Sequence, residues 1–480
     1  MKTSATRSII LRATLAIAFA TLVVAGPLAA ATPALDARHT VVPSALARAF
    51  VHLGDARIPS FSRQTKLACS ACHYQFVQLT PFGRQFKLNG YTLTGLENIA
   101  ARMPRDTSSV NLSLSPIPLV SAMAIASFTS VRRAAAGTQN EVATFPDQLS
   151  VFLGGAVTPK VGIFAQLTYA SADAALGIDN VDIRFANRTT LAARDFVYGV
   201  TLHNNPTVQD VWNTVPAWSV PFVSSSIAPT PSASPLVDGV LGQQVLGLGA
   251  YSMWNDVLYT ELSAYRSAPQ GGAQPSDSSA TDVLRNVSPY WRVALQRQFG
   301  GTYAMVGTYG LSGELYPTGI SGPTDRYLDV AADAQLERPL ASGGALLARG
   351  SVIRERQHLH ASTLGEEPTA EHVENTLTTY RANGTYQLST RYGFTLGWFG
   401  STGTRDELRY APESVSGSAS GRPNSSGAFG EMDVNPWQNL RLGAQYVAYG
   451  KFNGGTRSYD GAGRQASSND ALYVFTWLVF

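Results

Sequence analysis

The chain carries two cysteines, and both lie in one pentapeptide, Cys69-Ser70-Ala71-Cys72-His73. Two thiols three positions apart, followed at once by an imidazole, have the spacing of covalent haem c attachment. The thiols add to the two vinyl groups on one porphyrin edge. His73, one helical turn past the first thioether, then lies under the iron as proximal ligand. A redox dithiol would sit in a βαβ pattern, and none is visible. A zinc site would need four ligands, and only three are at hand.

The distal position is open to three candidates, Met103, His52 and His39. Met103 stands in the turn-like Arg102-Met103-Pro104-Arg105, from which a thioether can reach back to the iron and raise its potential. His52 or a five-coordinate iron are the other outcomes. Around the motif, Thr65 is expected to cap a helix running through about Leu79. Thr80-Pro81 then opens a second helix, stopped by Asn89-Gly90. Phe76, Phe82 and Phe86 could wall a porphyrin, which would itself form much of so small a core. Arg63, Lys66, Arg84 and Lys87 could face its propionates, or form a solvated basic face.

The rest of the chain has to hold this motif in place. It opens with Lys2, Arg7 and Arg12, an apolar run over 13–25 and a small-residue site at Ala29-Ala30-Ala31, the order of a cleaved signal peptide. Charged residues make up only 14% of the sequence, with 43 Gly and 20 each of Tyr and Phe, which fits neither a helical repeat nor a disordered chain. A net charge of +3 without a basic cluster excludes a nucleic-acid partner.

From about residue 116 the pattern becomes period-2 segments of about ten residues separated by turn residues. Leu328, Val330, Ala332, Ala334 and Leu336 alternate with Asp329, Asp333, Gln335 and Glu337. Leu440, Leu442, Ala444 and Tyr446 alternate with Arg441, Gly443 and Gln445. Short turns at Thr158-Pro159-Lys160, Asn255-Asp256, Gly300-Gly301, Ala341-Ser342-Gly343 and Asn435-Pro436-Trp437 alternate with long links at 206–238, 267–284 and 403–423. This reads as a mainly β protein: a transmembrane outer-membrane β-barrel of about 16 antiparallel strands, both ends periplasmic, with a small N-terminal α-helical cytochrome c head. The divisions are 1–31 signal peptide, 32–105 head with one covalent haem c, 106–115 linker and 116–480 barrel. Asp182, Arg184, Asp329, Asp333, Glu337, Arg349 and Glu355 fall on the lumen face. They read as a polar interior closed by charge pairs rather than as a cation guide. The aromatic end, Tyr473 to Phe480, has the place of a barrel assembly signal.

The stretch from Pro59 to Thr65, the haem motif, and Leu79-Thr80-Pro81-Phe82-Gly83-Arg84-Gln85-Phe86-Lys87-Leu88-Asn89-Gly90-Tyr91 resembles the fused outer-membrane cytochrome–porins of iron-oxidising bacteria. The resemblance implies Cys69 and Cys72 as attachments and His73 as proximal ligand, and supplies no distal ligand. It also implies an outer-membrane electron conduit, with the head in or under the barrel. Electrons would pass from external Fe(II), or another external donor, to a periplasmic cytochrome or other carrier. A diffusion porin with a cytochrome gate or redox sensor is the alternative.

Overall fold

The computed structural model describes residues 59–93, 99–101, 112–114, 119–172, 174–239, 241–270 and 273–480. The signal segment, His39, His52 and Met103 lie outside these residues.

The described chain begins with helix α1 (Ser60–Thr65), the single turn α2 (Cys69–Cys72), the hairpin β1 (His73–Gln75) and β2 (Gln78–Leu79), and helix α3 (Pro81–Leu88). A small pair, β3 (Ile99–Ala101) with β4 (Leu112–Leu114), follows. From β5 (Val120–Val131) to β21 (Ala471–Val479) every neighbour is antiparallel, and β21 pairs back on β5 to close a barrel. Sixteen strands form the wall; a short seventeenth, β12 (Thr281–Leu284), lies in a long connection and pairs with β14 (Thr302–Thr318). An even count puts the start of β5 and the end of β21 on one rim, which also carries the short turns. The long connections lie at the other rim.

Alternation along each strand sets the two faces of the wall. On β15 (Asp325–Pro339), Asp329, Asp333, Gln335 and Glu337 are buried inward, while Leu328, Val330 and Leu336 are exposed outward. An outward-facing apolar surface on a closed sheet, with no unpaired edge, is what lipid requires of a spanning β structure. Phe299, Tyr386, Tyr392, Phe394 and Trp437 are exposed near the short-turn rim, as in an interfacial aromatic girdle.

One expected turn is displaced. β19 (Ser425–Trp437) continues through Asn435-Pro436-Trp437, and the reversal comes at Gln438-Asn439. A register shift between Val434 and Trp437 absorbs the proline, which has no N–H to give to the ladder.

Candidate functional site

Residues 59–93 are packed inside the barrel. From α1, the Ser60 N–H donates to Ser121 Oγ (2.6 Å) and Ser60 Oγ to the Gly154 carbonyl (2.8 Å). From α3, Lys87 Nζ donates to the Val208 and Asp210 carbonyls (2.6 and 2.9 Å), and the Arg84 guanidinium forms an ion pair with Glu337. Past α3, Tyr91 Oη donates to Asp182 (2.6 Å), itself paired with Arg184 at 2.8 Å. The plug is thus bonded to strands on several sides of the wall. Among the lumen carboxylates, Glu337 and Asp182 are engaged by the plug.

A second piece fills the lumen. The link between β9 (Arg194–His203) and β10 (Val245–Trp254) folds inward and buries Val211, Trp212, Val215, Leu236 and Val237. Its backbone is held by wall carboxylates: Leu236 N–H donates to Glu355 (2.6 Å) and Val237 N–H to Asp329 (2.8 Å). Arg292 pairs with Asp333 at 2.6 Å and lies 3.6 Å from Asp210 of the link. Expected only as a long link between strands, this segment lies inside the barrel, because its scattered large apolar side chains have no other place to leave water.

The motif faces the short-turn mouth. Cys69 and Cys72 are free thiols, both half-buried. Beside Cys69 and His73 opens a cleft of about 30 Å³, also bordered by Phe76 and by Thr390, Asn435 and Gln438 of two short turns. His73 Nδ1 is enclosed without a hydrogen-bond partner. Burial lowers the imidazole pKa to about 4, which keeps it neutral, the form that binds a metal. Burial, reinforced by Cys69, raises the Cys72 thiol to about 11.

The elements around the motif differ in part from expectation. The helix does not run to Leu79. It stops at Cys72, where Thr80 takes over the carbonyls: Thr80 N–H donates to Cys72 O (2.9 Å) and Thr80 Oγ1 to Ala71 O (2.6 Å). Thr65 ends α1 instead of capping the motif helix. The second helix is as expected, with Thr80 Oγ1 accepting from Gly83 N–H (3.1 Å) and Gly90 at φ 71° after its end. Gly83 has no room for a side chain, since a Cβ there would lie 2.2 Å from Cys72 O.

The three phenylalanines do not form one wall. Phe76 meets His73 edge-on (ring centroids 6.4 Å apart), whereas Phe86 packs on Phe61 at 5.2 Å and Tyr91 at 6.3 Å, and Phe82 is exposed. Leu88 of α3 packs with Val197, Tyr251 and Met253 of the barrel wall. Arg84 and Lys87 turn to the wall and Arg63 donates to the Val120 carbonyl; Lys66 is exposed. Among the described residues no cluster of His, Cys, Asp and Glu could hold a metal ion by itself.

These residues fit a c-type haem in their donors: two free thiols on one turn, then a neutral imidazole with an uncommitted nitrogen, beside an open cleft.

No family model and no curated protein matches the chain. Solved structures that it is similar to include the outer membrane channel DcaP of Acinetobacter baumannii, at 11% identity and a TM-score of 0.43, covering 75% of this chain and 96% of that one. OmpF of Salmonella typhi, solved with daunomycin, gives 12% and 0.43, covering 75% and 97%. The anion-selective porin of Comamonas acidovorans gives 10% and 0.40, covering 75% and 99%. Identities this low transfer none of those proteins' activities.

Proposed function

We propose that the chain is an outer-membrane barrel whose internal plug carries one covalent haem c at the periplasmic mouth and passes electrons across the membrane. The barrel alone supports a channel, and on fold alone a diffusion porin is the better-supported function. What moves the proposal to electron transfer is one observation. The attachment motif is carried on the plug, with its thiols and imidazole beside the short-turn mouth, while the lumen around it is filled by bonded chain.

Cys69 and Cys72 would anchor the haem, and His73 would ligate it through a neutral nitrogen. Met103 is proposed for the distal position. Bound haem supplies a one-electron couple. The residues of the chain fix its place: Arg84, Lys87 and Tyr91 tie the plug to the wall, and the short turns border its cleft. A periplasmic cytochrome or similar carrier would exchange electrons at this open mouth. An external donor, Fe(II) in the resembling family, would act from the long-loop side.

A cavity that remains in the lumen supports the second reading, a porin gated by its cytochrome. It lies between the infolded link and the wall. Mixing the purified oxidised protein with Fe(II) and following the haem spectrum tests the donor, and single-barrel conductance tests the pore. Haem reduction with low conductance supports the conduit; no covalent haem, with high conductance, supports the porin.

A further inference from the structure

The outer half of the lumen holds a cavity of about 370 Å³ between the infolded link and strands β17 (Glu374–Gln387) to β21. Tyr473 on β21 lines it. From there a column of rings runs inward along the lumen face. Tyr473 stacks on Phe475 with centroids 5.4 Å apart. The Arg441 guanidinium lies 5.3 Å from the Phe475 ring and 5.6 Å from that of Trp477, bridging the two. Trp477 is 5.8 Å from Phe76, which is 6.4 Å from His73. The column therefore joins the outer cavity to the haem motif.

Packing alone does not account for its chemistry. Trp477 Nε1 is buried without a hydrogen-bond partner, a cost that a phenylalanine there would avoid. Gly443, across the ladder from Phe475, leaves space for that ring to lie flat: a Cβ would sit 2.1 Å from it. Tyr473 Oη donates to Asp147 at 3.0 Å, which fixes the outer end.

We propose that Tyr473, Phe475, Trp477 and Phe76 are an electron path from a one-electron donor at the outer cavity to the iron held by His73. This rests on the haem reading above. The donor loses one electron and the ferric iron gains it; no bond forms or breaks, and each ring is returned unchanged.

The test places the donor covalently. In the full-length holoprotein, Ser224→Cys gives a thiol at the cavity, where the exposed Ser224 stands, and a ruthenium polypyridyl is attached to it. On a flash the excited complex loses one electron, and absorbance reads its arrival at the haem. The expected result is a fast phase in the otherwise unaltered protein that is lost in Trp477→Leu and in Phe76→Leu and kept in Trp477→Phe. The gel mobility of the unboiled barrel stays unchanged in all three, and the midpoint potential in the two Trp477 variants. Equal flash rates in both leucine variants and the parent overturn the path while leaving the haem reading intact. Absence of covalently bound haem, read by staining after denaturation, removes the haem reading and this path with it.

Discussion

Arg84 on the plug helix and Glu337 on β15 form an ion pair wholly enclosed between plug and wall, with a second contact from Arg84 Nη2 to Glu337 Oε2 at 3.1 Å. Tyr74 Oη reaches the same carboxylate at 3.4 Å. Removing one partner of a buried pair costs about 3–5 kcal/mol, because the other charge is left uncompensated. Arg84→Ala is therefore expected to loosen the plug, raising single-barrel conductance and exposing residues 59–93 to protease. The double variant Arg84→Met with Glu337→Leu should restore much of the seal. Equal conductance in the wild type and Arg84→Ala would show that the pair does not hold the plug.

Lys87 gives the plug a pH response. Burial, aided by Arg184, lowers its pKa from 10.5 to about 8. Between about pH 8 and 10.5 the released chain binds more protons here than the docked one, so docking strengthens as pH rises. The gain is on the order of 3 kcal/mol, complete above the unfolded pKa and absent below about pH 8. Hydrogen exchange in α3 should slow across this window after correction for the intrinsic base-catalysed rate. In Lys87→Met the corrected profile should be flat; a matching rise in that variant would assign the response elsewhere.

Covalent attachment depends on the thiols. Cys72→Ser is expected to give a single thioether or no holoprotein, and His73→Ala an inserted barrel with altered iron ligation. Haem staining and the absorption spectrum read both. A wild-type protein made with haem-attachment machinery that does not stain would contradict the assignment.

Protease should spare the link at 206–238 and cut first at the exposed stretch around Gln274 to Ser278. Replacing the two carboxylates that grip the link, by Asp329→Asn with Glu355→Gln, should bring cleavage to it. Early cutting of the link in the wild type would contradict its place in the lumen.

Phe480 is the last rung of the closing seam: its N–H donates to Ala122 O (2.8 Å) and its carbonyl accepts from Ala122 N–H (2.6 Å). Deleting it should reduce the fraction of protein that runs as a compact band when unboiled. An unchanged fraction would show that the rung and its aromatic end are dispensable for assembly.

The wall was legible because a lipid-facing strand must alternate and a two- or three-residue reversal must use turn residues. Asp329, Asp333 and Glu337 fall inward as their spacing requires. The contents of the lumen were far less legible. Trp212, Val215 and Leu236 have no period, since an irregular plug is shaped by the cavity and not by a repeat. Nor does spacing show that Arg84 would reach past the motif to Glu337, a contact across 253 residues. Trp477 was read only as part of a terminal aromatic strand; its place beside Phe76 depends on closure of the barrel.

The plug comes before β5 in the chain, and α1 bonds to Ser121 of β5 and to Gly154 of β6 (Val142–Thr158), the first hairpin of the wall. The seam joins the first strand to the last. Contacts close in sequence form sooner than distant ones, so α1 is expected to find its hairpin while the sheet is still open. The wall is then wound around its contents, as a cooper raises staves about a form, and the last strand closes over a lumen already occupied.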